Sequence, residues 1–452
     1  MEKTLSRRRF LQLSAGMGML AGLGRLNVAH AANDYKALVC LFMFGGNDGH
    51  NTIVPMTNPQ YNAYAQARPG LALNLNQLLQ FSDANQGSFG FHFSMPEIRA
   101  LYNQGHCAVL ANVGMLVKPT SYANQTQGGF PLPVQLRSHA DQVQEMQMGQ
   151  PDYTLSTGWG ARCVDTMQAQ YNYNAGSTFP ASIAMLNPAI FCSGNVVQGA
   201  SIQPGNYMKQ DAMGLWPASA DTARLNAENQ IIGAASGNAI IDAANRSLMS
   251  ANSLNPILSA ASGAVNFQKP FPAGTLGPQL KDIAQIISLN AQLGVGRQIF
   301  FCSLGMFDTH GGQSWQQQVN LQEVSQALDA FYAATVQLGV DQQVTAFTLS
   351  DFGRTLQPSG TGCDHGWGNH HLILGGAVQG GKMYGRFPLM TNYANFNASV
   401  DDFSDSRGVM LPSTSLAQYG ATLAQWFGAA DSDLNNIFPT LPNFPVRNLG
   451  FC

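Results

Sequence analysis

Four short apolar runs, ALVCLFMF (37–44), CAVLANVG (107–114), QIFFCSL (298–304) and VTAFTL (344–349), each stop at glycine or polar residues, as strands buried on both faces do. Stretches with helical spacing of apolar positions separate them. PEIRALYNQG precedes the second run, LKDIAQIISLNAQLG precedes the third, and VNLQEVSQALDAFYAATVQLG lies between the third and fourth. This alternation predicts an α/β fold with a largely parallel central sheet and helices on both faces. From about 200 to 275 the texture changes to Ala, Ser and Asn with few aromatics, which reads as a helical insertion into that domain.

The first 31 residues stand apart. MEKTLSRRRFLQLSAGMGMLAGLGRLNVAHA has a basic start, a mild Gly-rich apolar middle and a small-residue end, the organisation of an export signal. Ser6 to Gln12 fits the twin-arginine pattern, so the twin-arginine translocase is the expected partner during export, and the mature chain, 32–452, is expected to be periplasmic or secreted. No later stretch reaches the roughly 18 apolar residues of a membrane span. Losing the segment's five Lys/Arg and one Glu takes the formal charge from −3 to −7, which argues against nucleic acid or an anionic membrane as partner. The seven cysteines contain no C-x-x-C pair, so a thiolate zinc site is not expected, and Cys40, Cys107 and Cys302 fall inside apolar runs as small hydrophobes. One pair among Cys163, Cys192, Cys363 and Cys452 is free to oxidise outside the cytoplasm.

The chemistry concentrates after the strands. GCDHGWGNHH (362–371) holds three of the chain's nine His, and the first, third and fourth runs lead into GGNDG, GMFDTHGG and SDFGR. In a parallel α/β sheet ligands bind at the carboxyl ends of the strands, so Asp48, Asp308, His310, Asp351 and His365 are expected to meet there. Mixed carboxylate and imidazole donors suit a divalent metal, zinc or manganese, with one or two ions. His370 and His371 adjoin the apolar LILGG; adjacent side chains of an extended segment point to opposite faces, and core imidazoles are the expectation for both.

The motifs FGGNDGHNTIVP (44–55), RSHADQVQEMQMG (137–149), FDTHGGQ (307–313), SDFGRT (350–355) and DHGWGNHHLILGGAVQGGKMYGRFP (364–388) resemble the bacterial family of unknown function numbered 1501. That family is similar to the alkaline phosphatase and sulfatase superfamily. The resemblance implies an alkaline-phosphatase-like fold and a metal-dependent hydrolase of phosphate or sulfate esters, acting on a small-molecule or polymer-linked substrate. It implies metal-ligand roles for Asp48, Asp308, His310, Asp351 and His365, and makes Ser138 the counterpart of the nucleophile, with His139 and Arg137 beside it to hold and protonate an oxyanion. Two departures stand out. Phe352 occupies the position of a second-metal His, and no C-x-P-x-R or S-x-P-x-R signature is present, so a formylglycine nucleophile is not expected. The competing expectation is a non-catalytic periplasmic or cell-surface binding or assembly protein on the same fold.

Overall fold

The computed structural model describes residues 34–205, 217–234, 236–238, 263–394 and 401–452, with 241–242, 245, 248–249 and 257–258 between them. The segment read as an export signal and parts of the 200–275 insertion lie outside the described residues; within the insertion a helix spans Asp221–Gly233. In chain order the strands are β1 (Lys36–Met43), β2 (Ile53–Pro55), β3 (Leu79–Asp83), β4 (Gly87–Phe91), β5 (Cys107–Gly114), β6 (Ser182–Met185), β7 (Ala200–Ile202), β8 (Arg297–Leu304), β9 (Val344–Ser350), β10 (Arg354–Ser359), β11 (Gly362–His365), β12 (Asn369–Leu374), β13 (Met383–Gly385) and β14 (Thr414–Ser415). Five helices pack on the main sheet or border its edge: α1 (Pro96–Asn103), α2 (His139–Met148), α3 (Leu276–Ile287), α4 (Gln313–Gln337) and α5 (Leu416–Phe427). Among the described residues no helix is long and apolar enough to cross a membrane.

The main sheet has the order β13-β5-β12-β9-β1-β8-β6-β7, with β14 also beside β5. Its pairs are parallel except those of β12, which runs antiparallel between β5 and β9. Side chains of β1 alternate between two cores, as the pleat requires. Ala37, Val39, Leu41 and Met43 pack with Ile98 of α1, Leu280 and Ile283 of α3, and Leu321, Val324 and Leu328 of α4. Leu38, Cys40 and Phe42 join Trp159 with Leu416, Tyr419 and Leu423 of α5 on the other face. Helices therefore cover both faces, and the strands are apolar without alternation because neither face meets water.

Register sets the functional edge. Met43 stands opposite Leu304 of β8 and Ser350 of β9, so the three strands end at one level and Gly45, Asp308 and Asp351 leave the sheet together. The β10–β11 hairpin pairs Arg354 with His365 and so brings the 362–371 stretch back to the same edge. Gly45 is required by the approach: its φ is +110°, and a Cβ there would lie 2.3 Å from the backbone nitrogen of Asp308.

Candidate metal centre

Four donor atoms from three chain segments converge at this edge. His139 opens α2, Asp308 and His310 follow β8, and His365 ends β11. The Nε2 atoms of His139 and His365 are 3.0 Å apart, as are those of His310 and His365. Asp308 Oδ1 lies 3.4 Å from His139 Nε2, 3.0 Å from His310 Nε2 and 3.5 Å from His365 Nε2. His139, Asp308 and His365 can each offer one ligand atom within 4.8 Å of the others. Ligands about 2.0–2.1 Å from a tetrahedral zinc ion sit about 3.3 Å from one another, so the spacing matches what one ion imposes.

The far side of each ring fixes which nitrogen faces inward. His365 Nδ1 donates to the Arg137 carbonyl at 2.8 Å, and a carbonyl only accepts, so in the neutral ring Nε2 presents its lone pair. Carboxylates hold the other two: Asp351 Oδ2 lies 2.7 Å from His139 Nδ1, and Asp364 Oδ1 3.2 Å from His310 Nδ1. When all three rings are neutral, three lone pairs and a carboxylate oxygen face one another, a donor set that could hold a cation. An imidazole oriented through its outer nitrogen by an acceptor is the usual companion of metal ligation.

The surrounding charges and burial act differently on the members of the group. Burial pushes the Asp308 carboxyl up, but the hydrogen bond and charge of Arg354 outweigh it and bring it down to about 2, keeping it an anion. Burial lowers His365, which keeps it neutral, whereas the hydrogen bond with Asp351 raises His139. Arg354 itself is completely buried and donates to the carbonyls of Gly45, Gly46, Phe307 and Cys363 besides Asp308, so it is a brace for the edge and has no side open to a ligand.

The other expected site residues fall elsewhere. Asp48 forms a fully buried ion pair with Arg68 and also accepts from Gln313 and from the backbone N–H of His50, so its oxygens are already engaged inside the protein. Asp351 touches the group only through His139, its oxygens also accepting from the Gly45 N–H at 3.1 and 3.2 Å. Ser138 is the N-cap residue of α2, but its Oγ makes no capping bond and donates to Asp141 instead. Arg137 directs its side chain at Asp405 (2.9 Å) and Ser404 (3.2 Å). His370 and His371 are buried, stacked on Phe387 and Tyr419 of opposite cores, and burial pushes each down to about 3. All seven cysteines are unpaired. The chemistry that the sequence passes over is Asp364, inside the quoted decapeptide, and Arg407, which pairs with it; nothing in the spacing of either distinguishes it from a surface charge.

The fold and site define a mixed α/β protein with a nitrogen- and oxygen-donor centre at the carboxyl edge of a mostly parallel sheet. Residues 279–439 match the family model described as a protein of unknown function (DUF1501), the family whose motifs the sequence resembles. No curated protein matches the chain. Among solved structures the chain is similar to the C-terminal periplasmic domain of EcEptC from Escherichia coli in complex with Zn, at 10% identity over 88% of this chain and 84% of that one, with a TM-score of 0.31. It is also similar to the PsFucS1 sulfatase from Pseudoalteromonas sp., at 12% identity over 91% and 71% of the two chains, with a TM-score of 0.34.

Proposed function

We propose that the protein is an exported, metal-dependent hydrolase of phosphate or sulfate esters, with one divalent ion, zinc by its donor set, held by His139, Asp308, His310 and His365. The observation that carries the reading is the approach of His139 Nε2, His310 Nε2 and Asp308 Oδ1 to His365 Nε2, at 3.0, 3.0 and 3.5 Å. His310 stands on the open side, where its side chain and that of Asp308 are about half exposed. When bound, the ion supplies a Lewis acid that neutralises the anionic ester oxygens. A second ion has no place in this reading, because the Phe352 ring packs 4.6 Å from His139 and 4.8 Å from His365 and Asp351 is already used.

The chain's own groups supply the rest. Helix α2 begins at His139, so its unpaired N–H groups and positive dipole end lie at the centre and favour an anion. Ser138 is the attacking hydroxyl of this reading; its hydrogen is directed at Asp141, which leaves the oxygen lone pairs free. Arg354 keeps Asp308 ionised.

The test is to purify the exported chain, measure bound metals, and assay chromogenic phosphate monoesters, phosphate diesters and sulfate esters with and without chelator. Hydrolysis that chelation abolishes and zinc restores is the expected result. One zinc per chain with no turnover on any ester class would instead support the binding-protein alternative.

A further inference from the structure

Two of the three imidazoles at the centre are steered from a single loop. Asp405 receives the guanidinium of Arg137, whose carbonyl takes the Nδ1 hydrogen of His365. Two residues on, Arg407 pairs with Asp364, whose other oxygen meets His310 Nδ1. Arg137 has a φ of +74°, a left-handed conformation that costs a side-chain-bearing residue energy and persists where neighbours hold it. Its side-chain bonds to Asp405 and Ser404 are that hold.

The loop is itself pinned. Asp405 Oδ1 accepts from the backbone N–H groups of Arg407 (3.0 Å) and Val409 (3.3 Å), and the carbonyls of Arg407 and Gly408 accept from Gln357 (3.0 Å) and Leu356 (3.1 Å) of β10. The same strand carries Arg354, the partner of Asp308. Resting on the metal reading above, we propose that residues 404–407 act as a positioning clamp: Asp405 through Arg137, and Arg407 through Asp364, set the ring orientations of His365 and His310. The four charged side chains are about a third exposed, so their ion pairs contribute little to folding, and the role separates from a structural one.

The experiment compares the mature chain with Asp405→Asn, Arg407→Gln, Arg407→Lys and a control, Arg447→Gln, whose ion pair with Asp431 does not touch the centre. Zinc affinity is measured by competition with a chromogenic chelator, and ring geometry by the visible absorption of the Co2+-substituted protein. Asp405→Asn and Arg407→Gln should bind zinc about 10–100-fold more weakly and shift the cobalt bands, with the metal-free melting temperature little changed. Arg407→Lys should recover most of the affinity, because it keeps a cation for Asp364. Arg407→Gln leaves the loop's backbone bonds intact, so it tests the idea even if Asp405→Asn misfolds. If the wild type binds zinc and both variants bind it equally tightly with unchanged cobalt bands, the clamp is wrong. A wild type that binds no zinc overturns the metal reading, and the clamp with it.

Discussion

His139 and His365 meet Nε2 to Nε2 at 3.0 Å, while the outer nitrogen of each ring is already engaged by an acceptor, Asp351 for one and the Arg137 carbonyl for the other. When both rings are neutral they present lone pairs to each other, and Asp308 adds a negative oxygen 3.4 and 3.5 Å away. The edge of the sheet therefore offers donors that could hold a cation. The wild-type chain should hold one zinc per molecule after dialysis. His365→Ala should lose it, with an affinity drop larger than the ~10–100-fold that removal of an orienting partner causes. Elemental analysis of both proteins decides; a variant retaining a full equivalent of zinc would remove His365 from the ligand set.

Asp48 and Arg68 make a different claim. Both side chains are fully buried, and the carboxylate takes further bonds from Gln313 and the His50 N–H. Removing one partner leaves an uncompensated charge in the interior, so Arg68→Ala should destabilise the fold by about 3–5 kcal/mol in urea titrations. Asp48→Asn, where folded, should keep its zinc. Loss of zinc from a stable Asp48→Asn protein would return Asp48 to the ligand set.

These two sites show what the chain makes legible before folding. The four apolar runs become β1, β5, β8 and β9 with ends displaced by at most one residue, because strands buried on both faces must be continuously apolar. Helix α4 starts at Gln313, six residues before its apolar pattern begins, since QSWQQQ lies polar at the sheet edge. Asp308, His310 and His365 announce themselves by position after strands or in a His-rich loop. Asp48 carries the same signal and ends elsewhere: its buried cation, Arg68, lies twenty residues away at the end of a helix, and no local pattern links the two. Asp364 shows the reverse. Only the hairpin that returns β11 to the edge turns an ordinary carboxylate into the partner of His310.

Glu145 predicts a pH dependence away from the centre. It is fully buried on α2, accepts from Gln142 through one oxygen, and has no hydrogen-bond partner for the other among the described residues. Burial pushes its carboxyl up to about 8, against the ordinary 4.5 of an exposed glutamate in the unfolded chain. The sign follows from proton counting: between those values the unfolded state has released a proton that the folded state keeps, so stability falls as pH rises. Below pH 4.5 the contribution is fully present; it declines toward pH 8 by at most ~1.4 kcal/mol per unit. Glu145→Gln should flatten this slope and be more stable than wild type at pH 8, as read from urea midpoints at several pH values. Parallel stability curves for the two proteins would mean that Glu145 is ionised in the fold.

Ser138 carries the chemical step of the proposed hydrolysis and is the sharpest place to test it. An ordinary N-cap Ser accepts from a helix N–H, and its removal costs about 1 kcal/mol of stability with no effect on chemistry. Here the hydroxyl makes no such bond and donates to Asp141, while the next residue, His139, stands in the His–Asp group. Ser138→Ala should therefore melt within a few degrees of wild type and keep its zinc, since no ligand is touched. Its turnover on the preferred ester should fall by several orders of magnitude, because attack through Ser138 Oγ is then impossible. Zinc content, melting temperature and single-turnover rate measured on one preparation separate the roles. A folded, zinc-loaded Ser138→Ala protein that keeps most of its activity would exclude the nucleophile role and point to direct attack by water, with Ser138 left as a tether between α2 and Asp141.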